Sequence, residues 1–152
     1  MRVSVIGGSS VTDEEYDRAL DVGRLLAERG HTVVCGGRGG VMEAACRGAR
    51  EMEGHTIGIL PGSHPAEANE YVQTTIVTGM GNARNALVVL NGDAVIAIDG
   101  GPGTLSELGH ALDFDRPVAG LGTHRIDGVD GIEHVDTPAD AVDHAENTHE
   151  RN

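Results

Sequence analysis

The chain has 152 residues, a length that favours a single domain whose core needs no disulfide or structural metal. It carries 24 acidic residues against 11 basic ones, all arginine, and the resulting formal charge of −13 argues against nucleic acid or an anionic membrane as a partner. Recurrent apolar runs, such as residues 87–90 and 94–98, exclude a disordered acidic chain.

Composition also indicates the cellular environment in which the protein works. An acidic surface without lysine resembles that of proteins from salt-loving microbes, where a Debye length of about 3 Å in roughly 1 M salt screens like-charge repulsion. No leader-like segment opens the sequence and no apolar stretch approaches about 18 residues, so we expect a cytoplasmic protein with no membrane partner. Histidines and cysteines lack metal-ligand spacing, so no metal site is predicted, and Cys35 and Cys46 are expected to be buried thiols.

The first half of the chain alternates short apolar runs with amphipathic segments. Strands are predicted at residues 2–6, 31–35, 55–60 and 71–77, with helices at 12–29 and 41–53. Thr12 and Glu15 have capping-box spacing, in which a hydroxyl precedes a glutamate by three residues, and Gly30 is a typical helix stop. This alternation is typical of strand–helix–strand units.

The second half continues the pattern. Strands are predicted at residues 93–99, 116–121 and 131–136, with helices at 81–90, from the glycines at 100 to about 114, and from Thr137 to about 146. The strand at 93–99 is the most hydrophobic and is expected to be central. Together these elements predict a Rossmann-like, doubly wound parallel sheet flanked by helices. We expect a single domain over residues 1–148, with 149–152 as a frayed tail.

Three glycine-rich turns follow predicted strands and therefore share one edge of the sheet. Glycine lets the backbone approach a phosphate closely, and the amides at the start of the next helix attract anions. The predicted phosphate-binding residues are Gly7, Gly8 and Ser9 in the first turn, Gly36, Gly37, Gly39 and Gly40 in the second, and Gly100, Gly101, Gly103 and Thr104 in the third. Their spacing completes neither G-x-G-x-x-G nor a P-loop, so tight turns without a ligand remain the alternative.

Two charged residues stand out beside these turns. Arg84 opens an otherwise apolar helix, and Glu107 is predicted on the first turn of the helix after Gly103 and Thr104. Each is a candidate site residue. The alternatives are that Arg84 is a surface side chain and that Glu107 only interacts favourably with the helix dipole.

A family resemblance gives these positions a role. Residues 100–107 read GGPGTLSE, which resembles the GGxGTxxE signature of the LOG family, and Arg84 falls where that family has its active-site arginine. Residues 36–42 and 7–9 resemble the family's other glycine-rich loops, and the similarity spans about residues 2–121. The resemblance implies a homodimer or homotetramer that hydrolyses nucleoside 5′-monophosphates to base and ribose 5-phosphate. It implies Arg84 and Glu107 as catalytic residues and no required cofactor.

A related branch of the same superfamily implies a second function. This branch includes molybdenum-cofactor carrier proteins, which bind a pterin phosphate without chemistry and which the chain resembles in its compact length. Two positions differ from the cytokinin-activating enzymes, which have proline where this chain has Asp99 and lysine where it has Asn85. The small-molecule partner is therefore expected to be a nucleotide or a pterin phosphate, with hydrolysis and carriage both open.

Overall fold

The computed structural model describes the backbone of residues 1–151 and the side chains of residues 1–149. The strands are β1 (Arg2–Gly7), β2 (Thr32–Cys35), β3 (Thr56–Leu60), β4 (Thr74–Val77), β5 (Ala94–Ile98), β6 (Val118–Leu121) and β7 (Ile132–Val135). The helices are α1 (Asp13–Glu28), α2 (Val41–Glu51), α3 (Asn85–Leu90), α4 (Pro102–Asp113) and α5 (Pro138–Arg151). Short 3-10 helices lie at Pro65–Glu67 and Gly81–Arg84.

Each predicted strand and helix is present, with ends shifted by a few residues. Thr12 caps α1, because its hydroxyl accepts a hydrogen bond from the amide of Glu15 at 3.2 Å. The predicted helix at residues 81–90 begins as a 3-10 turn and becomes α-helical only at Asn85. Helix α5 continues to Arg151 and so includes residues expected in the frayed tail, while Asn152 lies outside the described residues.

The seven strands form one parallel sheet in the order β4-β3-β2-β1-β5-β6-β7, which confirms the predicted Rossmann-like fold. Strands β1 to β4 progress toward one edge, and β5 then returns to pair with β1, with Val5 opposite Ile96. In such sheets a crevice opens where the order reverses, beyond the carboxyl ends of the strands. The ends of β1 and β5 therefore mark where a ligand site belongs.

Alternate side chains of the central strands fill two separate cores. Val5 and Ile96 pack in the core that contains α1, α2 and α5, whereas Ile6 and Val95 pack in the core that contains α3 and α4. Every residue of β5 is buried, as expected for a strand covered on both faces. The helices thus pack against β1 and β5 from both sides of the sheet.

The two cysteines are buried, as predicted, and their Sγ atoms lie 3.4 Å apart between the end of β2 and α2. The hydrogen bond with Cys35 and burial both raise the pKa of Cys46. The pair packs beneath the second glycine-rich loop, where the Gly37 amide donates to Cys35 Sγ at 3.3 Å. Among the described residues, no helix is both long and apolar enough to cross a bilayer.

Candidate functional site

A cleft of about 750 Å³ opens at the carboxyl edge of the sheet, where β1 and β5 meet. It contains most of the residues predicted for the site from the sequence: Arg84, Glu107, Gly7, Gly8, Ser9, Gly100, Gly101, Gly103 and Thr104. Residues far apart in the chain thus converge at the switch point of the sheet.

The β5–α4 loop presents the start of a helix to this cleft. Helix α4 begins with Pro102, and its N-cap residue Gly101 has no side chain that could bond the first amides. The amides of Gly103 and Thr104 precede the first intrahelical bond, which Leu105 donates to the Gly101 carbonyl at 3.1 Å. The exposed turn therefore offers amide donors and the positive end of the helix dipole to an anion.

Gly100 and Gly103 differ in what surrounds them. Gly100 has φ of +126°, and a Cβ added there would lie 2.4 Å from the Thr104 side chain. Around Gly103 there is no heavy atom within 4 Å of an added Cβ among the described residues. Gly100 is thus required for the conformation of the loop, whereas Gly103 lines the cleft and has open space beside it.

The second glycine-rich loop does not line the cleft within the described part of the chain. Instead Gly36 makes room for Arg84, since a Cβ there would lie 2.8 Å from Nη2, and Gly40 contacts the first loop, since its Cβ would lie 2.2 Å from the Gly8 carbonyl oxygen. The amide of Val41 also donates to that oxygen at 3.0 Å. Four predicted site residues thus lie outside the cleft lining: Gly36, Gly37, Gly39 and Gly40. Two of them, Gly36 and Gly40, contact residues that line the cleft.

Arg84 is a buried cation, with 8% of its surface exposed, and not a free surface side chain. Its Nε donates to the Ile59 carbonyl at the end of β3 at 3.0 Å, and its Nη1 contacts Asn85 Oδ1. Burial lowers the pKa of Arg84 and Glu107 opposes this effect, yet a guanidinium remains charged in proteins. Backbone and Asn85 contacts therefore fix a positive charge at the cleft wall.

Glu107 lies in the second turn of α4, because the helix begins at Pro102, so its predicted place on the first turn was wrong. It follows Thr104 by three residues and shares its helix face. The side chain is 8% exposed, and burial raises the pKa of Glu107 to about 7, with Arg84 acting in the opposite direction. A carboxyl group that titrates near neutrality can both accept and return a proton.

Several residues that line the cleft were not assigned to the site from the sequence. They include Glu15, Asn82, Asn85, Asp99, Thr123 and His124. Thr123 and His124 follow β6 and reach the β5–α4 loop, where Thr123 Oγ1 donates to the Asp99 carbonyl at 2.8 Å and His124 Nε2 lies 3.1 Å from the Gly101 carbonyl. Their position after a strand of the same parallel sheet was the signal that could have identified them.

Known proteins are similar to this chain in sequence and in fold. A model of the SLOG cluster4 family matches residues 1–150. An uncharacterized protein of Archaeoglobus fulgidus is 39% identical, over 95% of this chain and 93% of its own. The cytokinin riboside 5′-monophosphate phosphoribohydrolase of Mycobacterium tuberculosis is 35% identical over 80% of this chain, which spans only 65% of that enzyme. The molybdenum cofactor binding protein of Rippkaea orientalis superposes with a TM-score of 0.90 at 35% identity, covering 97% and 96% of the two chains.

Proposed function

The chain belongs to the SLOG cluster4 family, and we propose that its cleft binds a nucleoside 5′-monophosphate and hydrolyses the N-glycosidic bond. The observation that carries this proposal is Glu107, a buried carboxyl with a pKa of about 7 that lines the same cleft as an exposed helix start. Perturbed carboxyl groups of this kind are concentrated at catalytic sites. The likeness to the M. tuberculosis phosphoribohydrolase supports the same reaction.

In this proposal the phosphate binds at the start of α4. The amides of Gly103 and Thr104 and the Thr104 hydroxyl donate to phosphate oxygens. The site needs such donors because a chain with a charge of −13 repels anions at long range. Binding there orients the ribose toward Glu107, one turn further along the helix.

Hydrolysis then breaks the bond between ribose C1′ and the base nitrogen. The ionised Glu107 carboxylate accepts a proton from water, the water oxygen bonds to C1′, and the bonding electron pair leaves with the base nitrogen. The base nitrogen takes up a proton from solvent, and Glu107 returns its proton to solvent. Positive charge develops on the ribose as the bond lengthens, as in glycoside hydrolysis, and a nearby carboxylate stabilises it. Arg84 contacts the departing base, and its charge acts on Glu107 through space by favouring the ionised carboxylate. The products are free base and ribose 5-phosphate, and no cofactor takes part.

The experiment that tests this function is an assay for free base. The protein is incubated with AMP, GMP and IMP in molar KCl, and the products are separated by chromatography. We expect base release that Glu107→Gln abolishes while AMP affinity stays within about threefold. Base release by Glu107→Gln at the wild-type rate would contradict the role of Glu107.

A second candidate function is the binding of the molybdenum cofactor as cargo, without chemistry. The observation that favours it is the likeness to the R. orientalis protein over nearly the whole of both chains. The residues fit such a ligand, because the start of α4 suits a terminal phosphate and carboxylates of the cleft suit the N–H groups of a pterin. Arg84 would then be an anion contact and Glu107 a hydrogen-bond acceptor.

The two functions differ in what accompanies the purified protein. A carrier should copurify with a fluorescent pterin after expression in cells that make the cofactor, and it should release no base from nucleotides. A hydrolase should release base and contain no pterin. An oligomer of two or four chains is compatible with either function and is measurable by light scattering.

A further inference from the structure

The cleft extends to both sides of the loops proposed to bind phosphate. At one end Arg84 lies over β3 and the residue after β2, through its contacts with the Ile59 and Gly36 carbonyls. At the other end Asp99 lies over β5 and β6, since its amide donates to the Leu121 carbonyl at 3.2 Å. The strand order separates these ends by three strand spacings, roughly 14 Å at about 4.8 Å each.

The phosphate loops occupy the space between the two ends. Gly8 and Gly100 come together there, because a Cβ added to Gly8 would lie 3.8 Å from the Gly100 Cα. A nucleoside monophosphate with its ribose near Glu107 would fill the Arg84 end and the centre. The Asp99 end would then remain open to whatever the phosphate carries on its other side.

Asp99 is held in an unfavourable conformation at this open end. Its φ is +50°, a left-handed value that costs a residue with a Cβ free energy and that occurs preferentially at functional sites. The carboxylate Oδ2 is buried without a hydrogen bond and lies 3.5 Å from Arg18 Nη1. The side chain nevertheless lines the cleft with 21% of its surface exposed, which leaves Oδ1 as the oxygen that a ligand can reach.

The groups around Asp99 do not satisfy Oδ1. Gly122 lies beside this oxygen, since an added Cβ would lie 2.9 Å from it, and Thr123 directs its hydroxyl to the Asp99 backbone carbonyl and not to the side chain. Among the described residues, no donor makes a hydrogen bond to the carboxylate. A partly buried acceptor of this kind is stabilised when a ligand supplies the donor.

We propose that the natural ligand continues beyond its phosphate: it is a pyrophosphate-linked nucleotide whose second group carries hydroxyl donors, one of which binds Asp99 Oδ1. This inference rests on the proposed phosphate site and extends it, because it replaces a terminal phosphate by a bridging one. Asp99 is then a specificity-determining residue for the far group.

The test compares AMP, ADP and ADP-ribose by titration calorimetry in molar KCl. ADP adds only a phosphate, whereas ADP-ribose adds the hydroxyl-bearing group. We expect the wild-type protein to bind ADP-ribose at least about tenfold more tightly than ADP, which corresponds to a hydrogen bond to a charged acceptor. Asp99→Gly, which suits a positive φ, should remove this advantage and leave AMP affinity unchanged or slightly raised. Asp99→Asn keeps an acceptor oxygen and should show an intermediate loss.

Asp115 supplies a matched control, because it too is an aspartate with positive φ, at 56°, but it is exposed and outside the cleft. Asp115→Gly should bind all three nucleotides as the wild type does. Equal weakening of AMP and ADP-ribose by Asp99→Gly, or equal affinity of the wild type for ADP and ADP-ribose, would overturn the inference. Binding without base release would contradict only the hydrolysis, whereas no binding of any nucleotide would contradict the phosphate site and this inference together.

Discussion

Arg84 and Glu107 are two buried, oppositely charged side chains that line one cleft without forming an ion pair within 4 Å in the described part of the chain. Their charges interact through space, since Arg84 lowers the pKa of Glu107 while burial raises it to about 7. Hydrogen bonds to the Ile59 carbonyl and to Asn85 Oδ1 hold the Arg84 guanidinium in place without a contact from Glu107. Each charge thus remains available to a ligand placed between them.

The first prediction concerns the pH dependence of base release. If Glu107 accepts a proton from water, only its ionised form is active, and with a pKa of about 7 the rate should rise with pH and level off above pH 8. The measurement is kcat/KM for AMP from pH 5 to 9. His124 also lines the cleft, so His124→Asn serves as the control and should keep the same midpoint. A shift of this midpoint in His124→Asn would mean that the pH dependence of kcat/KM does not come from Glu107.

The second prediction concerns stability. The folded-state pKa of Glu107 is raised from 4.5 to about 7, so the neutral acid is favoured in the folded protein. The protonated carboxyl of Glu107 contributes stability to the folded state that is complete below pH 4.5 and is lost as the pH rises to 7. This loss of folding free energy amounts to about 3 kcal/mol. Glu107→Gln should therefore raise the free energy of unfolding at pH 8 by up to this amount and change it little at pH 4. Denaturant unfolding at both pH values checks this, and an equal effect at both would exclude a titration.

The third prediction concerns the shape of the cation at position 84. Arg84→Lys keeps the charge but not the planar group that bonds the Ile59 carbonyl and also faces the cleft. We expect AMP affinity to fall by about tenfold or more, measured by calorimetry. Arg38→Lys is the control, because Arg38 is exposed and paired with Glu67 at 3.0 Å outside the cleft. Similar losses in both variants would mean that the loss does not depend on a guanidinium positioned in the cleft.

Hydrophobic periodicity was enough to predict the fold because the inner strands β2, β3, β5 and β6 are almost wholly buried and α1 and α2 each bury an apolar face. The same reasoning predicted three glycine-rich turns at one edge of the sheet, and two of them, after β1 and β5, line the cleft because these strands are neighbours. It could not separate a glycine that faces the cleft from one that makes room for a side chain. Gly36 belongs to the second kind, because the space beside it is filled by Arg84 from another part of the chain.

Asp99 shows a second limit of the sequence. It was identified as a departure from a family pattern, but its positive φ and its unsatisfied carboxylate depend on β6, Gly122 and Arg18. None of these is adjacent to it in the chain. Long-range packing, and not local sequence, therefore determines what this residue can bind.

The fourth prediction separates the phosphate turn from the stability of its helix. Gly103 is exposed in α4 with open space around an added Cβ, so Gly103→Ala should fold and gain up to about 1 kcal/mol from helix propensity. The new methyl group should nevertheless weaken AMP binding, because it occupies the face proposed to meet the phosphate. Gly109→Ala is the matched control in the same helix, outside the cleft, and should gain stability without losing affinity. Unchanged AMP affinity in Gly103→Ala would exclude this turn as the phosphate site.

The fifth prediction concerns salt. Raising KCl from about 0.1 to about 1 M shortens the Debye length from about 10 to about 3 Å, which weakens both repulsion and attraction between surface charges. Exposed ion pairs such as Arg24 with Glu51 lose little, because such pairs contribute only about 0–1 kcal/mol. Repulsion is the larger effect, since 24 acidic residues face 11 basic ones and, in the part of the chain that the structure describes, only six acidic residues have a basic partner.

Salt should therefore raise the Tm at pH 7, and the increase should shrink near pH 4.8, the isoelectric point of the sequence, where no net repulsion is left to screen. Thermal unfolding in both salt concentrations at both pH values measures the two increments. KCl is preferred to a sulfate salt, because sulfate also strengthens apolar burial at any net charge. An equal increment at the two pH values would mean that the acidic surface is not the cause.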